Sequence, residues 1–257
     1  MTKYRGTPTM KRLFPLFVLI MWMGNALAAD KTIRLATPPG GFPPFIIVAP
    51  GQPTSGIVVD VLREIAALQG YQIRHTDAPK KRVEQMILDK QLDASPRAIE
   101  WGGDPKVFLF TDPVVRIRDL VFSRRQAPLN YRSPDDLLGK SLGTHLGYIY
   151  PLLTPYFDSK KILRADAGTE KSMLLMLQAG RTDALVMNEL VALWLIKTEN
   201  LHDQFTASET ELDGYEYRLM FGPQWSEFVA HFNRELGRMK RDGRLARVID
   251  KYRLSAP

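Results

Sequence analysis

The chain has 257 residues, a formal net charge of +7 and no cysteine. Lys3, Arg5, Lys11 and Arg12 stand in a leader without acids, so removing those four leaves +3 for residues 29–257. That mild balance argues against a nucleic-acid partner, and the missing cysteine excludes disulfides and a lipid linked through sulfur. Lys11-Arg12, the apolar run LFPLFVLIMWM (13–23) and the small-x-small step Ala26-Leu27-Ala28 follow the order of a secretory signal peptide over 1–28. The run is shorter than the about 20 residues that a membrane-crossing helix needs. A soluble periplasmic protein beginning near Ala29, without a lipid anchor, is expected.

Residues 31–37, KTIRLAT, alternate as a strand does. The Pro/Gly loop PPGGFPPF follows, carrying Phe42 and Phe45. GIVVDVLREIAALQ (56–69) sets Val58, Val61, Leu62, Ile65 and Leu68 on one helical face, and Gly70 ends that helix. YQIRHT (71–76) reads as a strand, KRVEQMILDK (81–90) as a short helix, and LDAS (92–95) opens the next segment. FTDPVVRIRDLVFSRR (110–125) is extended chain with a turn, and SPDDLLGK (133–140) is a short capped helix. KSLGTHLGYIYPLL (140–153) gives a strand, a glycine-containing turn and a helix start. KILRADAG (161–168) is a strand and TEKSMLLMLQAGR (169–181) a threonine-capped helix. TDALVMNELVALWLI (182–196) is a strand running into a helix. FVAHFNRELGRMKRDGRLARVIDKYRL (228–254) is helical, broken at Asp242-Gly243, with its dense basic residues on a solvated face. Strand and helix alternate, and the pattern restarts near 140. This predicts two α/β lobes built on parallel sheets.

His75, His145, His202 and His231 fall in no metalloprotease spacing, and neither a nucleophile elbow nor a phosphate loop is present. No metal, cofactor or catalytic group is predicted, and the chain is not expected to be an enzyme.

In open α/β sheets, ligands lie beyond the carboxyl ends of the strands. Four segments meet that condition. They carry Phe42 and Phe45; Arg97, Glu100 and Trp101; His145, Gly147, Tyr148 and Ile149; and Asn188 with Glu189. The third is expected at a helix N-terminus, whose free amides favour an anion. Aromatic rings supply a wall, and a few polar groups fix orientation. Each has a structural alternative: Phe45 in the core, Arg97 paired with Glu100, Trp101 capping the core, His145 as a scaffold residue.

GGFPPFI, SGIVVDVLREIA, LDKQLDA, FTDPVV, DLLGKSLGTHLG, LQAGRTDALVMNE and FNRELGRMKRDGRLARVIDKY, in that order, resemble the extracellular solute-binding proteins of family 3 over nearly all of 31–254. The resemblance implies the type II periplasmic-binding fold, with two α/β lobes around a ligand cleft. It places lobe 1 at 29–118 and 213–257, lobe 2 at 126–207, and hinge crossings near 118–126 and 207–214. It also implies a monomer that delivers a small polar solute to the permease of an ABC transporter. Alternatives are a sensing module for a membrane signalling protein and, less favoured, a dehydratase-like enzyme using Glu100 or Glu189. The family's carboxylate-clamping arginine would fall near Asp104, and its ammonium-binding aspartate at Asn188. Both halves of the usual amino-acid clamp are therefore changed. Arg97 is the candidate replacement grip, and Lys80 stands where the family often has an aromatic wall. Together they imply an anionic or carboxylate-bearing solute, with Trp101 stacking on it and His145, Gly147 and Tyr148 closing from lobe 2.

Overall fold

The computed structural model describes Met1, Thr2, residues 31–102 and residues 104–252. The leader expected over 1–28 lies outside them apart from its first two residues. In chain order the elements are β1 (Lys31–Thr37), α1 (Ile57–Ala67), β2 (Tyr71–Asp77), α2 (Val83–Leu88), β3 (Ala94–Arg97), β4 (Leu109–Phe110) and β5 (Val115–Arg124). Then come β6 (Ser141–His145), α3 (Thr154–Asp158), β7 (Leu163–Ala167), α4 (Glu170–Gln178), β8 (Ala184–Asn188), α5 (Glu189–Thr198), β9 (Phe205–Phe221), α6 (Ser226–Arg241) and α7 (Arg244–Tyr252).

The strand order is β2-β1-β3-β9-β5-β8-β6-β7, with β4 also on β9. β1 pairs in parallel with β2 and β3, and β6 in parallel with β7 and β8. These are the two restarting α/β patterns read from the sequence. Between them run β5 and β9, antiparallel to each other. β9 pairs with β5 along Phe205–Tyr217 and with β3 along Arg218–Phe221, so one strand serves both half-sheets. The sequence pattern predicts no strand over 205–221. TASETELD has little apolar alternation, and only its partner β5 makes it a strand.

Each half-sheet is pinned by an aspartate just before a strand. In the first, the Arg34 guanidinium donates to both Asp93 oxygens at 2.7 and 2.8 Å, and the Arg34 amide donates to the same carboxylate at 2.8 Å. In the second, the Ser141 amide and hydroxyl both donate to Asp183 Oδ2 at 2.8 Å. The first contact ties the start of β3 to the middle of β1 and the second ties the starts of β6 and β8, in parallel ladders that are less stable per residue than antiparallel ones.

α1 packs Ile57, Val58, Val59, Val61, Leu62 and Ile65 against the first half-sheet, all fully buried, whereas Leu68, expected on the same face, is exposed because the helix ends at Ala67. Each buried side chain contributes about 1.5–3 kcal/mol. The helix begins at Gly56, whose φ of 119° is open only to glycine, and an added Cβ would sit 2.5 Å from the Phe45 carbonyl oxygen. α6 buries Phe228, Phe232, Leu236 and Met239 on the face its spacing predicts, and the helix stops before Gly243 at φ 77°.

α7 closes the first half by a polar latch. The Tyr252 hydroxyl donates to Asp60 Oδ2 at 2.6 Å and accepts from the Gly56 amide at 3.1 Å, while Lys251 donates to the same Asp60 oxygen at 2.7 Å. Replacing Tyr252 by Phe keeps the ring and removes these hydrogen bonds. We expect a loss of about 1–2 kcal/mol in urea unfolding with an unchanged m-value. No change in the midpoint would show that the latch does not contribute.

Candidate functional site

Four strand ends meet beside the two strands, β5 and β9, that join the half-sheets. On the first half, Lys80 opens the turn Lys80–Arg82 after β2, Arg97 ends β3, and Trp101 ends the turn Ile99–Trp101. On the second half, His145 ends β6 and Tyr148 follows the Gly147 turn. Asp119 of β5 and Asp213 of β9 are register partners, and Asp119 also faces Asn188 of β8.

The aromatic residues form a continuous wall. Trp101 packs edge-on against Tyr215 at 5.4 Å and lies 5.7 Å from Tyr217. Tyr217 is buried and meets Phe45 at 5.2 Å and Phe42 at 6.4 Å. Phe42 is half-buried and stacks on Phe45, which belongs to the core. On the opposite side, Tyr148 stacks on His145 with 4.1 Å between ring centres, and His145 Nε2 lies 3.7 Å from Glu170 Oε1. The Lys80 ammonium lies 5.5 Å over the Trp101 ring and 4.9 Å over the Tyr148 ring, and so touches both sides. Lys80 is exposed as a residue. Its ammonium is nonetheless crowded enough that burial, then the Arg97 charge, holds its pKa below the usual lysine range.

Arg97 meets protein where a ligand was expected. It is 7% exposed. One guanidinium nitrogen donates to Glu84 at 2.6 Å and the other to the Trp101 carbonyl at 2.5 Å. The grouping of Arg97 with Trp101 thus has a local reason: the guanidinium holds the turn that carries the indole. Gly102 packs against it, since a Cβ there would lie 3.1 Å from the guanidinium carbon. Asn188 is also engaged. Its side-chain oxygen accepts from the Leu190 and Val191 amides at 3.1 and 3.2 Å and so caps α5, as Asn commonly does. Glu189 forms a two-pronged pair with Arg118 at 2.7 and 3.0 Å. Glu100 is exposed near Tyr215, whose pKa its charge helps to raise.

The helix N-terminus expected at 147–149 is absent. Gly147 has φ 80°, the Tyr148 amide bonds back to the His145 carbonyl at 3.1 Å, and helix α3 begins only at Thr154. The left-handed glycine and Pro151 keep the backbone out of a helix there.

The floor of the site is formed by two residues not among the candidates expected from sequence, Asp119 and Asp213. Asp119 is half-buried, and its carboxyl is pushed up to about 7, mainly by burial and then by Asp213. Asp213 accepts from the Tyr215 hydroxyl at 2.6 Å and the Gly214 amide at 2.8 Å. A signal was available. Val115, Ile117 and Asp119 share one strand face, as do Asp213, Tyr215, Tyr217, Leu219 and Phe221. An aspartate that continues an apolar alternation points inward.

No group of three or more metal-binding side chains occurs among the described residues, and none of their helices is long and apolar enough to cross a membrane. The architecture, two α/β halves linked by β5 and β9, is the type II periplasmic-binding fold. Residues 33–255 match the model of the bacterial extracellular solute-binding proteins, family 3. The chain belongs to that family. PatH of Vibrio harveyi, whose name places it among amino-acid ABC transporter-binding proteins, is 25% identical over 244 residues, covering 90% of this chain and 96% of PatH. Solved structures with the same fold include a histidine kinase sensor domain similar to periplasmic binding proteins (TM-score 0.70, 18% identity, 87% of this chain and 96% of that one). An ancestral arginine-binding protein bound to arginine also matches (TM-score 0.69, 21% identity, 87% and 98%). So does an arginine transport-system binding protein from Legionella pneumophila (TM-score 0.67, 19% identity, 87% and 100%).

Two outcomes follow from this geometry. Arg97→Ala should lower the unliganded stability by about 2 kcal/mol, because charge-assisted hydrogen bonds inside the fold are lost. An unchanged urea midpoint would show that the guanidinium is not a structural element. Asp119 has a folded pKa raised above its ordinary value of about 3.9. Its contribution to stability is therefore fully present below pH of about 4 and is lost as pH rises toward about 7. Asp119→Asn should stabilise the protein at pH 8 relative to wild type, on the order of 1–2 kcal/mol after discounting for partial solvent contact, and much less at pH 4. Equal effects at both pH values would contradict the raised pKa.

Proposed function

We propose that the chain captures a small amino-acid-type solute with a carboxylate group in the cleft between its halves and presents it to the permease of an ABC transporter. The observation that carries this reading is the convergence of Lys80, Trp101 and Tyr148 from opposite halves above a floor made by Asp119, Asp213 and Tyr215. A solute carrying both a carboxylate and an ammonium group finds an uncompensated lysine on the wall and carboxylates beneath. The aromatic rings take its apolar part. Phe42, Glu100, His145, Gly147 and Asn188 complete the surroundings, with Arg97 acting through Trp101.

In this reading lobe 1 comprises 29–118 and 213–257, and lobe 2 comprises 126–207. Hinge crossings lie near 118–126 and 207–214. The lobes close on the solute because the closed form contacts it better than the open one. The protein is a monomer exported by its leader to the periplasm, and it acts by binding rather than turnover. The likeness to a histidine kinase sensor domain supports a second reading, in which the closed form is read by a membrane sensor.

Native mass spectrometry of freshly purified protein, followed by a thermal-shift panel of the common amino acids, tests the binding reading. A cognate solute at 100 times its Kd should add about 2.7 kcal/mol of stability, a clear rise in Tm. An unshifted Tm across amino acids and their acidic derivatives, with no retained small molecule, would remove the amino-acid reading.

A further inference from the structure

We propose that Lys80 is the specificity-determining residue of the cleft: its ammonium fills the slot between Trp101 and Tyr148, bars cationic ligand groups from those rings, and attracts a ligand carboxylate. The inference rests on the cleft being the solute site, as proposed above.

The slot is built rather than incidental. Trp101 is held by the Arg97 bond to its carbonyl and by Tyr215 and Tyr217, and Tyr148 is held by its stack on His145. The two rings belong to opposite halves, so a cation between them bridges the cleft. Ring faces attract cations within about 6 Å of their centres, and Lys80 Nζ satisfies this for both rings at 5.5 and 4.9 Å. Among the described residues, no carboxylate oxygen lies within 4.0 Å of that ammonium. Rings spread over a cation's field but do not neutralise it. The nearby Arg97 guanidinium adds positive charge, and the depressed Lys80 pKa fits a cation that lacks a counter-charge.

Two consequences follow from Coulomb's law in a half-dry site. A guanidinium or ammonium side chain brought to the same rings meets Lys80 at close range and is repelled. A carboxylate brought there supplies the missing counter-charge. Position makes this selective: Lys80 stands at the carboxyl end of β2, on the rim where a solute enters.

The first measurement needs no solute. In protein labelled with 13C-lysine, the Lys80 ε-methylene resonance, identified by its absence in Lys80→Met, should lie upfield of the other lysines through the ring currents of Trp101 and Tyr148. Tyr148→Leu should return it toward them. A Lys80 resonance among the ordinary lysines would overturn the slot. The second measurement uses L-glutamate and L-arginine as probes in calorimetry with wild type and Lys80→Met. The ratio of arginine to glutamate affinity should rise at least tenfold in Lys80→Met. An unchanged or lowered ratio would overturn the charge filter while leaving the amino-acid reading of the cleft intact. Failure of both probes, and of the wider amino-acid panel, to bind either protein would overturn that reading and the filter together. The lysine spectrum would still decide whether Lys80 occupies the slot.

Discussion

The antiparallel pairing of β5 with β9 is the constraint on which the rest of the molecule depends. β9 is long enough to pair with β5 over Phe205–Tyr217 and then with β3 over Arg218–Phe221. Everything that one half presents to the other is positioned through these two strands. The ladder also brings Asp119 opposite Asp213, at the point where its register begins to slip. An irregular ladder is a natural place for bending, because its hydrogen bonds are already interrupted.

Within each half, one device is used twice. Asp93 and Asp183 each precede an alanine that starts a buried strand, and each accepts hydrogen bonds from the first strand of its half-sheet. Arg34 supplies the donors in one case and Ser141 in the other. Pinning the strand starts leaves the opposite, carboxyl ends free of such duties, and that is where Lys80, Trp101, His145 and Tyr148 gather.

The cleft divides its charges by position. Carboxylates lie on β5 and β9, where burial raises Asp119 to about 7 and a tyrosine hydroxyl donates to Asp213. Lysine lies on the wall, between rings. Arg97 sits behind the wall, with its two terminal nitrogens already engaged by protein.

The sequence by itself determined the repeated α/β pattern, the helix stops at Gly70 and Gly243, the core face of α6, that of α1 apart from the exposed Leu68, and the family. The elements follow from periodicity and local backbone preference, which act over a few residues, and the family from the order of seven motifs that resemble its members. Strand ends, which can be located locally, also singled out Trp101, His145 and Tyr148, and the family resemblance added Lys80; the four come together. The tertiary structure alone decided that 205–221 is a strand, because a polar segment becomes one only when a partner completes its hydrogen bonds. It decided that Arg97 braces Trp101 and that Asn188 caps a helix, because a side chain's partner depends on which neighbours reach it first. It also decided that Asp119 and Asp213 share the floor. Their pairing joins residues nearly a hundred positions apart, and no local pattern in the chain encodes that distance.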